Sequence, residues 1–370
     1  MNKSLEGVRG AAALFVVVYH MHCNMPGLGA AHGGYLAVDL FFALSGFVIA
    51  RAYSDRLSSG AAFCSFIMRR IGRLYPLNFT SIALHYLLVN CALALAVQYL
   101  AHHAAPGSSI ARVASAVDAM HWRDHYTPPG VNWSIHVEFM VYLIFSAVCL
   151  TLRGRARPVG FAVMAALGYT AAVYASLVPY RCAAVGDCFS MTDGFGVARC
   201  MVGFFAGALV AHYRERPLVT GLTRPVTQIA MSAATVAYLY ACAYVKLLPL
   251  AAPVVFAALV ASLSPDRGPV ARVLHTRIIQ RLGALSYSLY LAHGVLLITF
   301  GVAVAVPDST IGRVSVAAAY LAATFMLAIT FHRTIENPWR IRSQAWSKRF
   351  DTPVREDAGA ATDKPRCTVQ

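Results

Sequence analysis

Charge is scarce in this chain. Only 13% of its 370 residues are Asp, Glu, Lys or Arg, while 58% are hydrophobic. A soluble domain carries roughly 25% charged residues, so an ordinary water-soluble fold is excluded. Nucleotide fingerprints are missing as well. There is no Walker lysine loop and no dinucleotide glycine motif. The Gly-x-Ser-x-Gly elbow of serine hydrolases is absent too, so nothing indicates a covalent serine intermediate. The histidines of His102-His103, His121 and His125 lack a matching cysteine or carboxylate set, which argues against a metal centre. No internal repeat of the kind many secondary transporters carry is visible.

What the chain has instead is long apolar runs. Ten stretches can cross a bilayer core of ~30 Å. They lie near 8–25, 34–50, 74–98, 133–152, 158–178, 194–212, 225–245, 248–263, 284–305 and 314–332. The first run has no small-residue cleavage site after it and is expected to stay as a span. The net charge of +15 does not point to nucleic acid, because the basic residues sit in short clusters between the runs. With the N-terminus inside, 25 of the 31 Lys and Arg fall on inner segments, which is the pattern of cytoplasmic loops. The sequence therefore predicts an all-α, polytopic membrane helical bundle of about ten transmembrane helices with both termini cytoplasmic. Residues 51–73 read as a basic inner loop and 99–132 as the largest outer loop. The membrane domain is expected over 1–345 and a disordered cytoplasmic tail over 346–370. Cys182 and Cys188 share one outer loop and can pair if that side is oxidising.

Five polar patches interrupt the apolar pattern. In the first span Arg9 and His20 are eleven residues apart, within about 20° of three full helical turns, so both occupy one face. They are roughly 16 Å apart along the axis, close to the length of an extended pantetheine arm. Arg9 suits a phosphate at the inner lip, and His20 suits a general base near mid-membrane. A second anomaly is Asp39, within Gly34–Phe47. A carboxylate inside an apolar helix needs a partner, and a protonated His20 is the expected one, with Asp39 orienting the ring.

The third patch is Asn132-Trp133-Ser134-Ile135-His136-Val137-Glu138. Ser134 and Glu138 are four apart and share a face, Trp133 fits an interfacial belt, and Glu138 is a candidate for binding or activating an acceptor. The fourth is a stripe of Ser286, Tyr290 and His293 in the ninth span. His293 is a second candidate acid, base or thioester contact. The fifth, Arg69-Arg70-Ile71-Gly72-Arg73-Leu74-Tyr75-Pro76, reads as a phosphate clamp at the inner mouth or as a topology determinant. Arg199, inside the sixth span, reads as holding an anionic group or pairing with Glu138 or Asp39.

Taken in order, these patches resemble the type-3 membrane acyltransferase family, bacterial enzymes that O-acylate glycans. The resemblance rests on Arg9 with His20 and on Asp39-Leu40-Phe41-Phe42 running to Ser45-Gly46-Phe47. It continues through the basic stretch ending in Tyr75-Pro76 and Trp133-Ser134 with Glu138. Ser286-Tyr287-Ser288-Leu289-Tyr290-Leu291 with His293, and the late Glu336 with Pro338, complete it. It covers residues 5 to about 342. Ala43, His136 and Asn337 depart from the usual pattern.

The resemblance implies ten core helices in the inner membrane and an acyl-coenzyme A donor, acetyl-coenzyme A by default, with no permanently bound cofactor or metal. It also implies a glycan acceptor such as O-antigen or exopolysaccharide, and no nucleic-acid partner. In that reading His20, Asp39 and Glu138 are catalytic. Arg9, Arg69, Arg70, Arg73 and Tyr75 hold the donor, and Trp133, Ser134, Arg199, Ser286, Tyr290 and His293 contact substrate. Some relatives add a helix and an extracytoplasmic hydrolase-like domain, and this chain reads as the standalone form. The rival reading is a transporter or flippase of a lipid-linked or small polar substrate that uses the same buried charges.

Overall fold

The computed structural model describes residues 2–22, 29–103, 130–192, 194–303 and 309–350. Among these residues the chain is all-α, with no strand. The main helices are α1 (Lys3–His22), α2 (Ala37–Tyr53), α3 (Gly60–His103) and α4 (Trp133–Thr151). They are followed by α5 (Ala156–Leu177), α6 (Gly196–Tyr213), α7 (Pro225–Ala241) and α8 (Ala252–Leu263). The last three are α9 (Arg277–Ala303), α10 (Thr310–Phe331) and α11 (Asn337–Ser347). A helix stands at each of the ten expected apolar stretches. Among the described residues five are long and apolar enough to cross a membrane: Ala31–Tyr53, Trp133–Thr151, Ala156–Leu177, Gly196–Tyr213 and Thr310–Ser347.

The exposure pattern follows the sequence. Helix α2 is apolar on every side, and between Ala37 and Ala50 only Phe41 and Val48 escape full burial. A helix apolar all round belongs in the centre, and α2 takes that place. Helices α5 and α10 instead present large apolar side chains outward, among them Val159, Val163, Leu167, Ile311, Val314 and Met326. Such faces suit lipid, which offers no penalty for apolar exposure.

Glycine sets the closest crossings. A methyl group at Gly46 of α2 would run into the Phe204 carbonyl of α6, and one at Gly207 of α6 into the Ala43 carbonyl. Small residues at these points let the two backbones approach, the usual route to tight packing where the hydrophobic effect is weak.

Two boundaries differ from expectation. The stretch 51–73 is largely helical, because α2 runs to Tyr53 and α3 starts at Gly60. Its arginines lie on an amphipathic helical start rather than on an irregular loop, since Phe63, Phe66 and Ile67 pack on the core. The expected tail from residue 346 begins inside α11. Ser347 is fully buried and accepts a 2.7 Å bond from Arg69 Nε. The rest of that tail, from 351 on, lies outside the described residues, as do His121 and His125. At the other edge, Cys182 and Cys188 form a disulfide.

Candidate functional site: an arginine-lined cavity

The N-terminal half of α1 packs against α9 through Gly10 and Gly283, where a methyl group on either would strike the facing backbone. Beside that crossing, α1, α2, α3, α4 and α9 enclose a cavity of about 880 Å³. Arg9, Arg70, Arg73, Ser134, Glu138, Ser286 and Tyr290 all line it. Seven of the expected site residues, from four helices, thus converge on one space.

The basic wall carries no close ion pair, although Glu6 and Glu138 line the same cavity. Among the described residues, Arg9, Arg70 and Arg73 have no ion-pair partner. Arg70 is held by aromatic faces, with its guanidinium carbon 5.5 Å from the Tyr53 ring centre, 5.6 Å from Phe66 and 6.0 Å from Tyr142. Aromatic faces attract a cation without consuming its donors. The Arg70 Nε is buried and has no hydrogen-bond partner. A buried donor left unmet costs stability, so three guanidiniums around one cavity form a site prepared for an anion.

Deeper in, Tyr142 donates a 2.6 Å hydrogen bond to Glu138 Oε1. Its single proton is thereby committed, so Ser45, at 2.9 Å, donates to the Tyr142 oxygen. Both Tyr142 and Ser45 line the cavity. The sequence reading missed them, although Tyr142 is four residues after Glu138 and that spacing alone puts them on one face. At the same level Tyr290 donates to the Val131 carbonyl at 3.0 Å, with Ser134 Oγ 2.9 Å from its hydroxyl. Phe41 stands edge-on to Tyr290 at 6.0 Å.

His20 does not line this cavity. Its ring lies 5.0 Å from that of His293, which lies 5.4 Å from Tyr290. Tyr290 and His293 therefore stand between the cavity and His20. The tautomer of His20 is set by chemistry. Nδ1 is 2.9 Å from the Val16 carbonyl, and a carbonyl only accepts, so Nδ1 carries the proton. In the neutral ring Nε2 then holds the free lone pair. His293 is fully buried, its Nδ1 faces the Leu289 carbonyl at 3.3 Å, and its Nε2 has no partner.

Asp39 takes one of the two partners the sequence offered, Arg199, and not the other. It does not pair with His20. Arg199 Nε and one terminal nitrogen grip its two oxygens at 2.9 and 2.7 Å. The same terminal nitrogen donates to the Tyr35 carbonyl at 3.0 Å, and the other reaches the Met191 carbonyl at 3.3 Å. Trp133 covers the guanidinium at 5.2 Å. A planar fork with permanent charge matches a carboxylate better than an imidazole already bonded to its own helix. Arg199, Asp39 and Trp133 therefore sit beside the cavity, outside its lining. Arg69 bonds Ser347 away from it, and Tyr75 packs edge-on against Phe139 at 5.1 Å.

A further polar knot closes α9 on the last helices. Ser288 donates to Glu336 at 2.6 Å, and His332 Nδ1 lies 3.0 Å from the same carboxylate oxygen. Glu336 ends a π-helical turn, His332–Glu336, a form often found at functional positions. Among the described residues no group of His, Cys, Asp and Glu is placed to hold a metal ion.

Comparison with known proteins places this architecture. The sequence profile described as an acyltransferase domain matches residues 2–333. "Protein 2 in picA locus" of Rhizobium radiobacter is 48% identical over 81 residues, which are 22% of this chain and 41% of the relative. "Putative peptidoglycan O-acetyltransferase YrhL" of Bacillus subtilis (strain 168) is 40% identical over 76 residues, 20% of this chain and 11% of the relative. The chain thus spans less than half the length of either curated relative. No solved structure matches it. With the profile covering nearly the whole chain, from α1 past the end of α10, this protein belongs to the type-3 acyltransferase family.

Proposed function

We propose that the protein is a multi-pass inner-membrane O-acyltransferase that moves an acyl group, acetyl by default, from acyl-coenzyme A to a hydroxyl of a cell-envelope glycan. The observation that carries this reading is the cavity. Three guanidiniums without an ion-pair partner among the described residues face a space of about 880 Å³ that ends at Glu138, Ser134 and Tyr290. That volume suits a cofactor-sized ligand, and the charge suits its diphosphate. The family membership and the relative named as a peptidoglycan O-acetyltransferase support the reaction class. The inner-side excess of Lys and Arg supports ten spans with both termini in the cytoplasm.

In this account the donor enters from the side of Arg9, Arg70 and Arg73, and its thioester reaches the level of Glu138 and Tyr290. The acceptor hydroxyl meets His20 beyond Tyr290 and His293. Those two rings must rotate for the reacting groups to meet, a gating step of the kind that sets many turnover rates. His20 Nε2 then takes the hydroxyl proton as the new ester C–O bond forms. The C–S bond breaks, and the proton passes to the departing coenzyme A sulfur. Asp39 and Arg199 hold α2 against α6 and take no proton.

The direct test is mass spectrometry of envelope glycans from cells with and without the gene. Loss of an acyl mass on deletion, restored by the wild-type gene and by no His20→Ala copy, is expected. Identical glycans in both strains would contradict the reading.

A further inference from the structure

The cavity carries a second set of basic residues that the account above leaves unused. Its open end is lined by Arg51 near the end of α2, Arg214 just past α6 and Arg267 between α8 and α9, together with Thr220 and Thr223. None of the three arginines was among the expected site residues. Depth separates Arg51 from the reaction level. Phe41, against Tyr290 at the inner end, precedes Arg51 by ten residues on the same helix. That is about 15 Å along the axis.

Two of the carboxylates at this rim, Glu215 and Asp266, are already engaged, and Glu6 also lines the cavity. Glu215 is 2.9 Å from Arg214. Asp266 accepts from the Ser4 amide and hydroxyl at 2.7 Å each and from the Lys3 amide at 3.1 Å, and it faces His275 at 2.9 Å. Among the described residues Arg51 and Arg267 have no ion-pair partner. All three arginines are exposed, so their donors are open to a ligand at the mouth.

Coenzyme A has two separate anionic groups, a diphosphate in its backbone and a phosphate monoester on its ribose. The cavity's arginines fall in two sets, Arg9, Arg70 and Arg73 on α1 and α3, and Arg51, Arg214 and Arg267 on α2 and on the segments after α6 and α8. We propose that Arg51, Arg214 and Arg267 bind the ribose 3′-phosphate of the donor while Arg9, Arg70 and Arg73 take the diphosphate. This inference rests on the acyl-coenzyme A reading above. The rim thereby selects coenzyme A over its dephosphorylated form and sets the register of the thioester at Glu138. A phosphate on a lipid headgroup has the same chemistry, and the experiment separates the two sources.

The test is calorimetric titration of the full chain in phosphatidylcholine nanodiscs with coenzyme A and with 3′-dephospho-coenzyme A. The wild type is expected to bind coenzyme A at least tenfold more tightly. The R51Q/R214Q/R267Q variant is expected to bind both nucleotides equally, at the wild-type affinity for the dephosphorylated form. That retained affinity shows the variant is folded. Equal affinities in the wild type, or a preference surviving in the variant, would overturn the proposal. So would a preference that disappears in phosphatidylglycerol nanodiscs, because the rim would then be holding lipid. Failure of the wild type to bind either nucleotide would instead refute the donor reading, and this inference with it.

Discussion

Asp39 and Arg199 are joined by two parallel hydrogen bonds of 2.9 and 2.7 Å, in a site where both side chains are almost wholly sealed from solvent. The arrangement separates a structural from a catalytic role for Asp39. Removing one partner leaves a buried charge unmet and costs about 3–5 kcal/mol. Arg199→Met alone should therefore lower thermal stability in detergent sharply. The double change Asp39→Leu with Arg199→Met should recover most of the loss and retain transfer activity. A stable but inactive double variant would return Asp39 to the chemistry.

Arg70 is placed by three aromatic rings as well as by its charge. Lysine cannot reproduce a planar guanidinium stacked on such faces. Arg70→Lys should raise the KM for acyl-coenzyme A by roughly tenfold, about 1.4 kcal/mol, with kcat little changed. Steady-state kinetics with varied donor checks this, and an unchanged KM would remove Arg70 from the donor site.

Tyr142 fixes Glu138 through a 2.6 Å hydrogen bond. Tyr142→Phe removes that donor at little cost in volume. A hydrogen bond to a charged group contributes about 1.5–3 kcal/mol, so kcat should fall at least tenfold. Glu138→Gln should fall further. A Tyr142→Phe enzyme with full activity would show that the position of Glu138 does not matter.

Asp266 lies outside the spans and fastens the start of α1. Burial alone would raise its carboxyl. The hydrogen bonds from the Ser4 amide and hydroxyl, from His275 and from the Lys3 amide outweigh it and hold the pKa down at about 2. A depressed folded-state value means that its stabilisation is fully present above the unfolded carboxylate range near 3.9. That stabilisation is lost as pH falls through about 2. The stability gap between wild type and Asp266→Asn should be constant above pH 5 and close between pH 4 and 2. Thermal unfolding across that range measures it, and a gap independent of pH would contradict the assignment.

The Cys182–Cys188 bridge holds a loop whose Cys188 and Met191 carbonyls accept from Tyr35 and Arg199. Closing so short a loop is worth about 2 kcal/mol in the chain-entropy account. Reductant should lower the unfolding temperature of the wild type and leave a Cys182→Ser, Cys188→Ser variant unmoved. Equal responses of the two proteins would show that the bridge does not form.

Much of this was legible before any coordinates. Ten apolar stretches gave ten helix positions because main-chain groups in lipid must bond within their own segment. The Arg9, Arg70, Arg73, Ser134, Glu138, Ser286 and Tyr290 set was readable because each breaks an apolar pattern. Pairing across helices was not readable. The eleven-residue spacing puts Arg9 and His20 on one stripe of α1. It cannot reveal that the cavity stops at Tyr290, a residue of α9, before reaching His20. Likewise nothing along the chain makes Arg199 a nearer partner for Asp39 than His20 is. That choice is made by the α2–α6 crossing at Gly46 and Gly207. Arg51, Arg214 and Arg267 escaped notice because they look like topology anchors, and only the cavity shows them sharing one mouth.

The central claim is that a thioester held among the arginines passes its acyl group to a hydroxyl activated by His20. Transfer of label from radioactive acetyl-coenzyme A to glycan, in inverted membrane vesicles, tests it most directly. Vesicles with the wild type should incorporate label, and His20→Ala vesicles of equal protein content should bind the donor yet incorporate none. Incorporation at the wild-type rate by His20→Ala would contradict the account.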